Sequence, residues 1–141
     1  MVVRLNAAPS SNVRPFRFSR QSRLKSPRTI RQIMQDGASL RRRFGAFRLV
    51  CLLRPDVDER ESPRFAFVVS RSAGPAVVRN RIKRRLREAV RLQRLDWPKQ
   101  TAEVIIRVNE GQAADLPFGE LKAQIHEALS FINESHTRLQ T

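Results

Sequence analysis

The hydrophobic residues of this 141-residue chain change their spacing several times, and each spacing predicts a helix or a strand. A first helix is predicted to begin at Ser26, a favoured N-cap residue, with Pro27 at the first helical position. Three apolar residues then share one helical face: Ile30, Ile33 and Met34. Gly37 supplies the expected end of this helix.

Three segments have the apolar patterns of strands, at residues 44–53, 64–70 and 104–108. In the first, one predicted face carries Phe47, Leu49, Cys51 and Leu53, and the other carries Arg48, Val50 and Leu52. The second, RFAFVVS, is apolar enough to be buried on both faces. The acidic stretch at residues 55–63, with a proline at each end, is predicted as a loop.

Two further helices are predicted from spacings of three and four residues. The segment from Gly74 to Arg91 opens on a Gly-Pro turn, and one third of its helical wheel is apolar, with Ile82, Leu86, Ala89 and Val90. The segment at residues 119–133 repeats this spacing with Leu121, Ile125, Ala128, Leu129 and Ile132. The order α-β-β-α-β-α predicts an α+β fold in which helices cover mainly one face of a small sheet.

Basic residues outnumber acidic ones, with 28 Lys and Arg against 13 Asp and Glu and a formal net charge of +15. In the predicted helix at residues 74–91, Arg81 and Arg85 repel each other at i,i+4, with only Glu88 nearby to relieve them. A solvated face is the simplest interpretation of a charge run. The excess of Arg over Lys instead favours phosphate binding, because a guanidinium binds phosphate bidentately. The sequence therefore predicts a nucleic-acid partner, with a weaker preference for RNA over DNA because no groove-reading motif is evident.

The predicted domain boundaries follow from composition. Residues 1–22 contain four Arg and no acid, and we interpret them as a basic disordered arm. An organelle transit peptide is the alternative, but the apolar residues are too sparse for an amphipathic helix. The RNA-binding domain is predicted at residues 23–134, with a C-terminal tail at residues 135–141.

No catalytic or metal-ligating constellation is visible in the sequence. His126 and His136 have no nucleophile or further ligand at a telling spacing, and the acids of residues 56–61 lack the pattern of a calcium loop. Cys51 has no second cysteine to pair with and is predicted to be a small core residue. A single cysteine fits a reducing, cytoplasmic compartment. No apolar run approaches the roughly 20 residues of a membrane span, so no membrane partner is expected.

The segment Ala76-Val77-Val78-Arg79-Asn80-Arg81-Ile82-Lys83-Arg84 resembles the Arg-Asn-Arg signature of the bacterial ribonuclease P protein component. The context is similar too, with a strand that ends in Val69-Ser70-Arg71, a glycine at Gly74 and the later run Arg87-Glu88-Ala89. The similarity covers about residues 23–133. The tripeptide alone is a weak signal, but the whole run between a strand and a helix is highly specific.

The resemblance implies a small basic protein that binds a catalytic RNA and precursor tRNA, from which the RNA removes the 5′ leader. The protein then needs no catalytic residue, small-molecule ligand or cofactor of its own, and Mg²⁺ acts through the RNA. The positions implied to contact the RNA subunit are Arg79, Asn80, Arg81, Lys83, Arg84 and Arg87. The implied fold is similar to domain 2 of ribosomal protein S5, with an uncommon left-handed βαβ crossover.

The resemblance also implies a cleft for the single-stranded leader between the sheet and the first helix. Its implied residues are Ile30, Met34, Arg48, Val50, Val68, Ser70 and Arg71. The family usually has aromatic residues where this chain has Ile30 and Met34, so stacking on leader bases is reduced or supplied elsewhere. Phe44 and Phe47 are candidates for that stacking, although core positions suit them better. Ser72 also stands where the family usually has a lysine.

Two other functions fit parts of the pattern. A structural RNA-binding protein of ribosomal type would have the same basic charge and the same salt dependence. An autonomous nuclease would need catalytic residues, and nothing in the chain supports one. The ribonuclease P interpretation predicts that the protein accelerates leader removal by its cognate catalytic RNA at low magnesium, which a structural RNA-binding protein would not do. An autonomous nuclease would cleave without the RNA.

Overall fold

The computed structural model describes residues 22–54, 63–99 and 102–140. The predicted basic arm, except for its last residue, and nearly all of the predicted acidic loop lie outside these residues. Three α-helices are formed: α1 (Pro27–Gln35), α2 (Ala76–Arg91) and α3 (Phe118–Gln140). Four strands accompany them: β1 (Leu40–Phe44), β2 (Phe47–Leu53), β3 (Arg64–Val69) and β4 (Ala102–Val108).

The four strands of the described chain form one sheet in the order β1-β2-β4-β3. The pairs β1–β2 and β2–β4 are antiparallel, whereas β3 and β4 are parallel. Because parallel neighbours cannot be joined by a tight turn, the chain passes through α2 between β3 and β4. The α+β class and the small sheet are therefore confirmed.

One strand more is present than the sequence predicts. The predicted strand at residues 44–53 corresponds to β2, and β1 precedes it as the first strand of a hairpin that turns through Gly45. Gly45 has a φ of 54°, which a glycine adopts without strain, and a side chain there would collide with Gln124. The Gln124 Oε1 accepts the N–H of Ala46 at 3.0 Å, which fixes the turn against α3. The element order is thus α-β-β-β-α-β-α.

Two helices cover one face of the sheet, as predicted, and α1 covers part of the other face. The larger core lies between the sheet and helices α2 and α3, and it includes Leu49, Cys51, Val104 and Ile106. The smaller core lies between the other face and α1, where Ile33 contacts a cluster with Val50, Ala66 and Ile105. Alternation along β2 explains this arrangement, since successive side chains point to opposite faces.

The predicted helix ends are close to the observed ones, with one exception. The Ser26 hydroxyl accepts the N–H of Thr29 at 3.3 Å and caps α1 as predicted. Trp97 lies just after α2 and donates its Nε1–H to the Val90 carbonyl at 2.8 Å. Helix α3, however, continues beyond the predicted end at Asn133 to Gln140 and includes most of the predicted tail.

The buried carboxylate of Glu103 forms ion pairs at the end of the sheet that lies away from the start of α2. The side chain of Glu103 in β4 is only 1% exposed, and it pairs with Arg54 after β2 and Arg64 at the start of β3. A buried charge is tolerated only when it is paired in this way. Glu103 therefore ties together the two strands that flank β4.

Cys51 should be inert while the protein is folded. Burial and, secondarily, the charge of Glu103 raise the pKa of its thiol from 9.0 to about 12. Iodoacetamide should therefore modify Cys51 in the denatured chain and not in the native one, because only the thiolate reacts. Rapid labelling of native protein would contradict this burial.

The same shift predicts a dependence of stability on pH. Because the pKa of Cys51 is higher in the folded state, its contribution to the free energy of unfolding is fully present below pH 9.0. That contribution is lost as the pH rises toward about 12. In that window each pH unit removes about 1.4 kcal/mol from the free energy of unfolding. Urea unfolding of Cys51→Ala should show a shallower loss than the parent protein over the same range.

Candidate nucleic-acid interface

Helix α2 is fixed to the sheet by its apolar stripe. Gly74, with a φ of 139°, and Pro75 turn the chain from β3 into the helix. Four residues of the stripe are completely buried, as the sequence predicts: Ile82, Leu86, Ala89 and Val90. At about 25 cal/mol per Å² of buried apolar surface, such a stripe offsets the repulsion among the cations on the other faces.

On one flank of α2, the arginines donate hydrogen bonds to backbone carbonyls of the protein itself. The Arg81 Nε donates to the Ala114 carbonyl at 2.9 Å, and the Arg85 Nη1 donates to the Ala113 carbonyl at 2.6 Å. Arg85 also donates to the carbonyl of Leu116 through Nη2. The predicted repulsion between these two arginines is thus relieved by backbone oxygens of the turn before α3.

The other flank and the outer face carry cations without acidic partners in the described chain: Arg79, Lys83, Arg84 and Arg87. Asn80 and Arg84 are exposed, whereas Arg79, Lys83 and Arg87 are half-buried. Lys83 and Arg87 line a shallow pocket with Arg23 and Lys25. Burial, followed by the charges of Arg23 and Arg84, lowers the pKa of the Arg87 guanidinium. The contribution of these two neighbouring cations to the lowered pKa of Arg87 indicates that positive charge is crowded here.

The acid predicted to relieve this helix is already engaged. Glu88 accepts from the Arg91 Nε at 2.9 Å, and Arg91 Nη2 also donates to it. This hydrogen bond lowers the pKa of the Glu88 carboxyl and raises that of Arg91. The described residues therefore do not neutralise the positive charge on the outer face of α2.

The structure divides the predicted cleft residues into three groups. Met34, Arg48 and Val50 line one cleft beside the end of α1. Ile30, in α1, and Val68, in β3, are half-buried and pack against the smaller core. Ser70 and Arg71 lie after β3, where the Ser70 hydroxyl contacts the Ser72 hydroxyl at 2.7 Å.

Six residues that line this cleft are not among the predicted ones: Arg41, Arg42, Arg43, Leu49, Arg107 and Asn109. Arg43 belongs to the strand that was not predicted, and Arg107 is the only polar residue in the run VIIRV. An arginine within an otherwise apolar strand was the one sign in the sequence that Arg107 belongs to a site. Which residues it lies beside depends on the pairing of the strands, and the sequence does not give that pairing.

Phe44 and Phe47 do not supply the stacking that the cleft residues lack. They are 5% and 2% exposed, and their rings stack on each other in the larger core, with centroids 5.9 Å apart. They therefore lie on the opposite side of the sheet from the cleft.

The remaining candidate residues are unremarkable. Within residues 22–54, 63–99 and 102–140, no group of three or more His, Cys, Asp and Glu is placed to hold a metal ion. His126 is exposed, and its Nδ1 lies 3.7 Å from the Asp96 carboxylate. No helix in the described chain is long and apolar enough to cross a membrane.

The fold and the site define a small basic α+β protein with a cationic helix on one face of its sheet and a cationic cleft on the other. The sequence model of the family described as Ribonuclease P matches residues 18–133. The chain therefore belongs to the ribonuclease P protein family, and the resemblance of its Arg-Asn-Arg segment is confirmed.

Individual relatives agree with this assignment. The ribonuclease P protein component of Chloroflexus aurantiacus is 37% identical over 108 residues, which cover 75% of this chain and 73% of that protein. That of Symbiobacterium thermophilum is 51% identical over 65 residues, 45% of this chain and 54% of the relative.

Solved structures have the same fold. The RNase P protein of Staphylococcus aureus superimposes with a TM-score of 0.63 at 20% identity, over 79% of this chain and 94% of that one. The RNase P protein from Thermotoga maritima gives a TM-score of 0.61 at 24% identity, over 76% of this chain and 94% of that one.

Neighbouring arginines of α2 should differ in their effect on stability. Arg85→Ala removes the donors to two backbone carbonyls and should lower the free energy of unfolding by about 2 kcal/mol. Arg84→Ala removes an exposed side chain and should change it by no more than about 0.5 kcal/mol. Urea unfolding followed by circular dichroism measures both. Equal effects of the two variants would contradict the structural role of Arg85.

Proposed function

We propose that this chain is the protein subunit of the ribonuclease P ribonucleoprotein. It binds the catalytic RNA and the 5′ leader of precursor tRNA, and it assists the endonucleolytic removal of that leader. The observation that carries the proposal is the uncompensated positive surface of α2, in a chain that belongs to the ribonuclease P protein family. Phosphates are the groups that such a surface binds best.

The RNA subunit is proposed to contact the exposed and half-buried polar residues of α2: Arg79, Asn80, Arg81, Lys83, Arg84 and Arg87. Their roles differ. Arg84 projects from the outer face and is free to bind phosphate bidentately. Arg81 already donates Nε to a carbonyl and has its Nη2 4.0 Å from Asp115, so it contributes less charge to the RNA. Arg87 and Lys83 extend the surface toward Arg23.

The protein's contribution to the reaction is electrostatic and positional. Two RNA molecules repel each other strongly, and cations bound to both reduce that repulsion. Bond cleavage is assigned to the RNA, where Mg²⁺ would supply Lewis-acid chemistry, and no step of it is assigned to a residue of this chain. The chain's own residues hold the catalytic RNA on α2 and the leader in the cleft near Met34 and Arg48.

The proposal is tested by reconstitution. Adding the protein to the cognate catalytic RNA should accelerate leader removal from precursor tRNA most strongly at low Mg²⁺, where repulsion between the RNAs is least screened. The protein without RNA should not cleave. If the protein binds the RNA but leaves cleavage unchanged, a structural RNA-binding role of ribosomal type replaces this proposal.

The surface of α2 is tested by a double variant. Arg84→Ala with Arg87→Ala should weaken binding of the catalytic RNA about 10- to 100-fold, because two charge-assisted contacts are lost. The dependence of log Kd on log salt should become shallower by about 2, one for each phosphate contact. Filter binding across a salt series measures both quantities.

A matched control removes two charges elsewhere. Arg28→Ala with Lys99→Ala changes exposed residues outside α2. It should bind the RNA nearly as the parent protein does, apart from the small general effect of net charge. Equal losses in the two double variants would mean that total charge, and not the α2 surface, determines binding.

A further inference from the structure

An open pocket lies between α2 and the start of α3, on the side of the sheet opposite the cleft beside α1. Four residues of α2 and one of α3 line it: Arg81, Arg84, Arg85, Glu88 and Phe118. Neither Glu88 nor Phe118 belongs to the positions that the Arg-Asn-Arg resemblance implies as RNA contacts. The pocket therefore adds chemistry to the α2 surface that the motif does not contain.

Phe118 forms the aromatic wall of this pocket. Its side chain is half-buried and packs against the larger core. The ring pairs formed within the described chain do not include it, so the side that lines the pocket can receive another planar group. Proteins bind unpaired RNA bases by stacking them on such rings. The described lining of the cleft beside α1 contains no ring of this kind.

Two guanidinium groups of the pocket are held in fixed orientations. Arg85 donates to two backbone carbonyls of the turn before α3, and the Arg81 Nε donates to a third at 2.9 Å. A guanidinium held in this way cannot turn to follow a phosphate, but its planar face can stack on a base. Groups that are oriented before the ligand arrives also lose less entropy on binding. The exposed Arg84 remains as the cation of the pocket that suits a phosphate.

Among the described residues that line the pocket, only Glu88 is acidic. The Arg91 Nε donates to its carboxylate at 2.9 Å, and this hydrogen bond lowers the pKa of Glu88 and keeps it ionised. An ionised carboxylate repels phosphate, whereas it accepts hydrogen bonds from the amino groups of bases. Relief of the repulsion within α2 is the simpler role for Glu88. The two roles predict opposite effects when its charge is removed.

We infer that this pocket binds one unpaired base of the catalytic RNA, which stacks on Phe118 and donates its exocyclic amino group to Glu88, while Arg84 binds a neighbouring phosphate. This inference rests on the proposed function, in which α2 contacts that RNA. Adenine, cytosine and guanine carry an exocyclic amino group and uracil does not, so the base is one of the first three. Such a contact gives α2 a selectivity for its RNA that phosphate contacts alone do not provide.

The first test removes the charge of Glu88 and measures the Kd for the cognate catalytic RNA by filter binding. Glu88→Gln should weaken binding about 10-fold, because a charge-assisted hydrogen bond to the base is lost. If Glu88 only relieves repulsion within α2, the same variant should bind more tightly, since the net positive charge rises. Glu127→Gln is the matched control, because it removes an exposed acid of α3 outside the pocket. Its Kd should equal that of the parent protein or lie slightly below it.

The second test separates stacking from phosphate binding through the dependence of log Kd on log salt. Phe118→Leu keeps an apolar side chain against the core and removes the ring. It should weaken binding about 10-fold and leave the salt slope unchanged, because stacking on a base releases no counterions. Arg84→Ala should instead make the slope shallower by about 1. Circular dichroism and urea unfolding check that Phe118→Leu is folded, and Glu88→Gln tests the pocket without changing a core contact.

Chemical probing of the catalytic RNA identifies the base. Dimethyl sulfate modifies unpaired adenine and cytosine, and kethoxal modifies unpaired guanine. At saturating protein, the parent should protect a base that becomes reactive again with Phe118→Leu and with Glu88→Gln. The same base should stay protected with Arg84→Ala and with Glu127→Gln.

The outcomes separate this inference from the function on which it rests. Unchanged or tighter binding by Glu88→Gln, or a shallower salt slope for Phe118→Leu, overturns the base pocket and leaves the subunit role intact. The same holds if no base of the RNA depends on both side chains for its protection. If the parent protein binds the catalytic RNA no more tightly than an unrelated RNA of equal length, the subunit role itself is wrong and the inference falls with it.

Discussion

The burial of the apolar stripe of α2 is the interaction on which the rest of this molecule depends. Ile82 and Leu86 are completely enclosed between the sheet and α3, and this contact holds the crossover between β3 and β4 in place. A helix with so many cations would not be stable in isolation, since neighbouring turns repel. Tertiary packing supplies the stability that the local sequence lacks, and it directs the charged side chains away from the core.

Some of the arginines form hydrogen bonds within the described chain and others do not, so residues that look equivalent in the sequence have different roles. Arg85 satisfies backbone carbonyls near the start of α3, whereas the adjacent Arg84 lies free on the outer face. Removing Arg85 would orphan partly buried acceptors, which costs more than removal of an exposed charge. Proximity in sequence is therefore a poor guide to which arginines are available to a ligand.

The sequence predicts the α+β class, the stripe of α2 and the burial of Cys51, because each depends on a local periodicity. It does not predict β1, since the polar run Arg41-Arg42-Arg43 hides the alternation that Leu40 and Phe44 alone would suggest. The grouping of three cleft arginines could not be predicted for a different reason. Arg43, Arg48 and Arg107 become neighbours only through the register of two strand pairs, and register is a long-range property.

The two positive surfaces lie on opposite faces of the sheet, and this separation matters for a protein proposed to hold two RNA strands. The outer face of α2 is at least a helix diameter, about 10 Å, from the sheet. That distance exceeds the Debye length of about 8 Å at physiological salt. Phosphates bound at Arg84 and at Arg48 are thus kept apart by a layer of protein that itself carries cations. Because the two surfaces share no side-chain partner in the described chain, changes at one are expected to add to changes at the other, and each can adapt to its own RNA independently.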